Sequence, residues 1–166
     1  MKAGILSDTH DCRGSVDRAL DLFLEEGVGV IIHLGDVCAG FTLSAFRGCS
    51  VPLLGVFGNN DGDKRGIQVA SGGLFVSGPH KADLDGRRVL MSHAFDDMQG
   101  EIGERGQFDL ILFGHTHRPL TMKAGGALVV NPGEACGYLS GRSTCAVVDL
   151  GSMEARILDI PLRPGG

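Results

Sequence analysis

Asp8 and His10 stand two residues apart, as do His115 and His117, and each pair offers side chains that bind divalent cations. Three more donors follow short apolar runs in the same way. Asp36 comes after Ile31-Ile32-His33-Leu34-Gly35, Asn59 after Leu54-Gly55-Val56-Phe57-Gly58, and His93 after Val89-Leu90-Met91-Ser92. A D-x-H or H-x-H fragment alone is common by chance. Five donor fragments, each closing an apolar run, carry more weight, because open α/β sheets bind ligands in the crevice beyond the carboxyl ends of their strands. Four of the six histidines of the chain fall in these fragments. In an extended segment, positions i and i+2 project to one side, which predicts that Asp8 with His10, and His115 with His117, each present a ligand pair. Glycines at 35, 58 and 114 permit tight turns and close backbone approach beside Asp36, Asn59 and His115.

The donor set narrows the metal. Imidazole, carboxylate and amide oxygen without thiolate suit Mn²⁺, Ni²⁺, Fe²⁺, Zn²⁺ or Co²⁺ rather than Ca²⁺ or a structural zinc knot. Seven donors exceed one tetrahedral site and match two cations sharing a carboxylate, with Asp36 the natural bridge. Two dications facing two ionised aspartates leave a charge of about +2, which attracts phosphate oxygens.

The elements that must position these donors alternate in the first half of the chain. Lys2–Ser7, Val28–Leu34 and Val51–Phe57 read as strands. Between them lie a helix with Val16, Ala19, Leu20, Phe23 and Leu24 on one face, ended by Gly27, and a short helix around Thr42–Phe46. That order predicts parallel strands with right-handed crossovers. The second half changes to hairpins: Lys81–Leu84 with Arg87–Ser92 across Asp85-Gly86, and Thr121–Lys123 with Ala127–Val130 across Ala124-Gly125-Gly126. Ser143–Leu150 and Glu154–Ile160 form a last hairpin, and Leu110–Phe113 a further strand. With 166 residues, 43% of them hydrophobic and 21% charged, the chain predicts a single domain over 1–166, with residues 163–166 a loose tail.

Composition excludes several function classes. The chain has no Trp, one Tyr and a net charge of −5, which argues against a base-stacking platform and against nucleic-acid duplex binding. The five cysteines are odd in number and include no CxxC pair, so a reducing compartment is expected. The N-terminus lacks an apolar h-region, and no apolar run approaches the roughly 20 residues that span a bilayer. A cytoplasmic protein with no membrane partner is the expectation. A homodimer or homotetramer is the assembly in view.

Taken in order, Asp8-Thr9-His10, Gly35-Asp36, Gly58-Asn59-Asn60-Asp61, His93 and Gly114-His115-Thr116-His117 resemble the motifs of calcineurin-like metallophosphoesterases. Short length and Asn131-Pro132-Gly133 resemble the small YfcE-type phosphodiesterase branch, and the likeness spans residues 5–133. The resemblance implies an α/β fold, an α/β/β/α sandwich of two mixed sheets. It implies two divalent metal ions, Mn²⁺ foremost: Asp8, His10, Asp36 and His117 on one, and Asp36, Asn59, His93 and His115 on the other. It further implies hydrolysis of a small phosphodiester by a hydroxide bridging the two metals, with Asp36, His10 and Asn60 as catalytic residues. The alternative reading is a non-catalytic metal-binding scaffold, as in the retromer-subunit-like branch. A β-lactamase-like hydrolase would want an HxHxDH cluster, which the sequence lacks.

The sequence departs from that pattern at three places. Asn60 stands where relatives often carry His or Cys, and an amide cannot deliver a proton to a leaving group. Ala94-Phe95 follows His93 where relatives often have Gly-His. Glu134 replaces a frequent Ser, and the sequence gives it no role. Other polar residues read more plainly: His33 as a core histidine, His80 as a surface one, Cys12 and Cys38 as loop cysteines, Arg13 and Arg118 as solvated cations. Ala94–Phe108, with Asp96, Asp97, Glu101 and Glu104, reads either as an exposed amphipathic helix or as an acidic flap near the site.

Overall fold

Strand β1 (Lys2–Leu6) buries every side chain but the first, so it must run through the centre of a sheet rather than along its edge. In the computed structural model, which describes residues 1–161, it does so; the expected tail at 163–166 lies outside the described residues. Beside β1 lie the parallel strands β2 (Val30–His33), β3 (Leu53–Val56) and β4 (Phe75–Val76). On its other side run two antiparallel strands, Thr144–Asp149 paired to β1 and Glu154–Asp159 at the edge.

The second sheet joins β5 (His80–Leu84), β6 (Arg87–Met91), β7 (Leu110–Leu112), β8 (Leu120–Ala124) and β9 (Ala127–Asn131) in the order β5-β6-β7-β9-β8. Strands β6, β7 and β9 are parallel, and β5 and β8 pair antiparallel at the edges. The strand Thr144–Asp149 is therefore β10 and Glu154–Asp159 is β11. The architecture is the expected α/β sandwich of two mixed sheets. Among the described residues, no helix is long and apolar enough to cross a membrane.

Alternation of side chains builds the layers. Ala3, Ile5, Val30 and Ile32 of the first sheet meet Val89, Met91, Leu110, Leu112, Leu128 and Val130 of the second in the central core. The opposite face of the first sheet packs Leu6, Ile31, Leu53 and Phe75 under helix α1 (Arg13–Glu26), which contributes Val16, Ala19 and Phe23. Gly27 ends α1 in the left-handed conformation (φ 67°), its N–H bonded to Leu24 O and the N–H of Val28 to Phe23 O.

Two elements escape the sequence reading. Helix α2 (Lys64–Ala70) buries only Ile67, so no apolar stripe announces it; its start is fixed by Asp63, whose carboxylate accepts from Gly66 N. Strand β4 has two residues, too short for alternation. The second outer layer also differs from expectation. Ala94–Phe108 is not an amphipathic helix: it holds one 3₁₀ turn, Asp96–Met98, and otherwise irregular chain. Met98 and Phe108 pack with Leu90, Ile111 and Phe113 on the outer face of the second sheet. Its acids have local partners, Glu101 with Lys81 (2.6 Å), Asp97 with Ser92 (3.3 Å) and Asp96 with Gln99 (2.9 Å).

Phe75 connects this packing to the strand end that carries Asn59. Its ring fills the space left by Gly55, where a Cβ would overlap it, and lies 5.9 Å from the His33 ring and 5.8 Å from that of Phe57. Phe75→Ala is expected to lower unfolding stability by about 3–5 kcal/mol, read as a shift of the urea midpoint with unchanged slope. A loss within about 0.5 kcal/mol, the scale of a surface change, would show that the ring carries no such load.

Candidate metal centre

The loops after β1, β2, β3, β6 and β7 meet at one edge of the sandwich. Asp8 N bonds Gly35 O (3.0 Å), His10 N bonds Asp36 O (3.0 Å), and Gly114 N bonds His93 O (2.9 Å), so loops distant in sequence are sewn together by backbone. Asp61, 4% exposed, braces two of them by accepting from Cys38 N (2.8 Å) and Gly58 N (2.6 Å). Glycine is needed where the loops touch ligands. A Cβ at Gly58 would overlap Asp36 Oδ1, and one at Gly114 would overlap Ser7 Oγ and lie 2.8 Å from Asp8 Oδ2.

The backbone here is not extended. Asp8 (φ 52°), His10 (40°), Asp36 (57°), His115 (63°) and His117 (60°) all lie in the left-handed region, which costs non-glycine residues about 1–2 kcal/mol each. Such strain gathers where a site needs particular directions from its side chains. It also corrects the i, i+2 argument. Asp8 and His10 do converge, with His10 Nε2 3.9 Å from Asp8 Oδ1, but through two left-handed residues. His115 and His117 diverge: His117 Nε2 lies 3.4 Å from Asp8 Oδ1, whereas His115 Nδ1 lies 3.2 Å from His93 Nε2.

Two donor clusters result, Asp8–His10–His117 and Asp8–Asp36–His93, each with its ligand atoms within 4.8 Å of one another. Asp36 Oδ2 faces both, 3.7 Å from His10 Nε2 and 3.4 Å from His93 Nε2. His93 donates from Nδ1 to Leu34 O (2.8 Å), which turns its other nitrogen toward Asp36. Asn59 is exposed on its loop. Its neighbour Asn60 instead reaches Asp36, from N to Oδ1 (2.8 Å) and from Nδ2 to Oδ2 (2.8 Å).

Electrostatics separates the two carboxylates. Burial raises the Asp8 pKa, only partly offset by the Ser7 hydroxyl and the nearby His93 and His117. Burial also pushes Asp36 upward, but hydrogen bonds from His93 and Asn60 outweigh it and hold Asp36 well below the usual carboxylate range. The donors fit divalent cations. Asp8 Oδ1 and His10 Nε2 are buried without a hydrogen-bond partner, a condition that costs roughly 1–3 kcal/mol per group and that a bound cation relieves. Cys38 Sγ lies 3.6 Å from His10 Nδ1, but burial and the surrounding aspartates push its thiol up to about 11, away from thiolate ligation.

His33 is fully buried, accepts from Gly35 N at Nδ1 (3.2 Å) and meets Thr9 Oγ1 at Nε2 (3.1 Å); burial drives its pKa down to about 3, so it is a neutral core residue. Arg13 pairs with Asp17 at 3.7 Å on the exposed face of α1. Asn131 gives the Asn-Pro-Gly motif a purpose: Nδ2 donates to Gly114 O (2.8 Å) and Thr116 Oγ1 (3.0 Å), fixing the His115–His117 loop. Glu134, which has no role on sequence grounds, is fully buried with Oε2 2.8 Å from His117 Nδ1. Its only sequence signal is an acid in an otherwise apolar stretch, and its partner is 17 residues away.

Comparison with known proteins adds independent findings. The Calcineurin-like phosphoesterase superfamily domain matches residues 1–153. The chain is 30% identical over 161 residues to Phosphodiesterase MJ0936 of Methanocaldococcus jannaschii, covering 94% of this chain and 97% of that one. A solved structure of a novel archaeal phosphodiesterase superposes with a TM-score of 0.85 at 29% identity, covering 96% of this chain and 99% of the other. YfcE, a phosphoesterase from E. coli, shares the fold with a TM-score of 0.75 at 19% identity, over 97% and 100% of the two chains.

Proposed function

Since the chain belongs to the calcineurin-like phosphoesterase superfamily, we propose that its donor clusters hold two divalent cations, Mn²⁺ foremost, and hydrolyse small phosphodiesters. One observation carries this reading. Asp36 Oδ2 faces a histidine of each cluster, while Asp8 Oδ1 and His10 Nε2 are buried and make no hydrogen bond within the protein. Asp8, His10, Asp36 and His117 would hold one cation, and Asp36, Asn59, His93 and His115 the other. When bound, such a pair supplies a water-derived nucleophile at neutral pH and neutralises charge developing on the phosphoryl oxygens.

The remaining work belongs to the chain. Asp36 is held ionised by His93 and by Asn60, which grips both of its oxygens, so it can face two cations at once. Backbone bonds between the loops hold the donors in place before substrate arrives, which is the preorganisation that electrostatic catalysis needs. The similarity to MJ0936, itself a phosphodiesterase, supports diesters as the substrate class. The negative net charge of −5 favours a small ester over a polyanion. Five free cysteines support a reducing compartment.

Purified protein is expected to carry two metal ions per chain and to cleave bis(p-nitrophenyl) phosphate. EDTA should remove both the ions and the activity, and Mn²⁺ should restore them. Two bound ions without turnover of diester or of p-nitrophenyl phosphate, whatever the metal, would leave the metal-binding scaffold as the correct reading.

A further inference from the structure

Glu134 is surrounded entirely by donors. Oε2 accepts hydrogen bonds from His117 Nδ1 (2.8 Å) and from the Cys136 thiol (3.2 Å), while Leu139 N donates to Oε1 (3.0 Å) and Ser140 N donates to the same oxygen. The carboxylate has no exposure to solvent. We propose that Glu134 is a positioning residue for the metal centre: it fixes the ring orientation and tautomer of His117, so that the metal-facing nitrogen is the one with the lone pair, and it ties that ligand to the loop Gly137–Gly141. The inference rests on the two-cation reading above.

The chemistry follows from the two nitrogens of an imidazole. A neutral histidine has one N–H and one lone pair, and the group bonded to one nitrogen decides the role of the other. A carboxylate accepts only, so Nδ1 of His117 must donate to it. Nε2, 3.4 Å from Asp8 Oδ1, is then left as the ligand atom. The second oxygen of Glu134 serves the loop that carries Tyr138 and Leu139, which are 65% and 78% exposed at the protein surface. One side chain therefore ties a metal ligand to an exposed loop tip that neither sheet includes.

Glutamine tests this, because its shape matches but its chemistry cannot. An amide turned with its oxygen to His117 presents an NH₂ to the amides of Leu139 and Ser140. Turned the other way, it presents the NH₂ to His117 and demands the wrong tautomer. Glu134→Gln is expected to weaken Mn²⁺ binding at the site that includes His117 by about 10–100-fold. The readout is free Mn²⁺ by electron paramagnetic resonance during titration of the metal-depleted protein. The second site should keep its affinity, and circular dichroism should report an intact fold. In the His117→Ala background, adding Glu134→Gln should change Mn²⁺ affinity no further.

Wild-type affinity at both sites in Glu134→Gln, or a full additional loss in the double variant, would overturn the proposal. Should the variant not fold, the wild type answers instead. In the Zn²⁺-loaded protein, ¹⁵N spectra of the histidine side chains should show the His117 proton on Nδ1, and a proton on Nε2 would overturn the assignment. None of these readouts uses turnover. A wild type that binds two ions but cleaves no ester removes the phosphodiesterase reading alone; an active enzyme indifferent to Glu134→Gln removes this inference alone.

Discussion

Asp36→Asn is expected to abolish diester hydrolysis, lowering turnover by at least about a thousandfold, since losing one preorganised electrostatic group already costs roughly 10²–10³. The argument is local. Asp36 Oδ2 faces His10 Nε2 at 3.7 Å and His93 Nε2 at 3.4 Å, so this one oxygen is turned to a histidine of each cluster. Asparagine has the same outline but loses the negative charge that two dications would share. It also puts an NH₂ where Asn60 presents two donors, N and Nδ2, each 2.8 Å from an Asp36 oxygen. One of those donors must then face another donor, and the grip on the side chain fails. Metal content, measured by mass spectrometry on the purified variant, should fall below two ions per chain together with the activity. A variant that retains two ions and parental turnover would remove Asp36 from the bridging position.

Much of the framework was legible because each rule is local. Asp85-Gly86 announced a tight hairpin, and both residues adopt positive φ, 55° and 76°, as a two-residue turn of that kind requires. Gly27 announced the end of α1 and supplies its left-handed cap. The donors stood out because each closes an apolar strand, and five strand ends share one edge of the sandwich. What local rules could not supply is direction. The same spacing sends Asp8 and His10 together yet parts His115 from His117, because left-handed residues, not an extended chain, aim them. Ala94–Phe108 carried enough acids to suggest a helix or a flap. What places it is the apolar face of the second sheet, which takes up Met98 and Phe108. Glu134 was invisible for a related reason: its meaning depends on a histidine and two loop amides brought to it by the fold.

Asn60 should make the reaction unusually sensitive to its leaving group. Histidine at this position can hand a proton to the departing oxygen, a contribution worth about 10²–10⁴ in rate when general acid catalysis operates. An amide has no proton to transfer, and Asn60 is further committed, with both its backbone N–H and its side-chain amide directed at Asp36. A p-nitrophenolate leaves without help because its charge is delocalised, whereas an alkoxide does not. Across a series of diesters from p-nitrophenyl to alkyl, kcat/KM is therefore expected to fall by about 10²–10⁴, the contribution a missing acid leaves undone. Asn60→His should restore part of the loss for alkyl esters and little for aryl esters, provided metal content is unchanged. The distinction lies in the slope rather than in the absolute rate, because a variant that merely disturbs Asp36 lowers every substrate alike. A flat dependence in the wild type would mean that water or another group already delivers the proton, and Asn60 would then keep only its hold on Asp36.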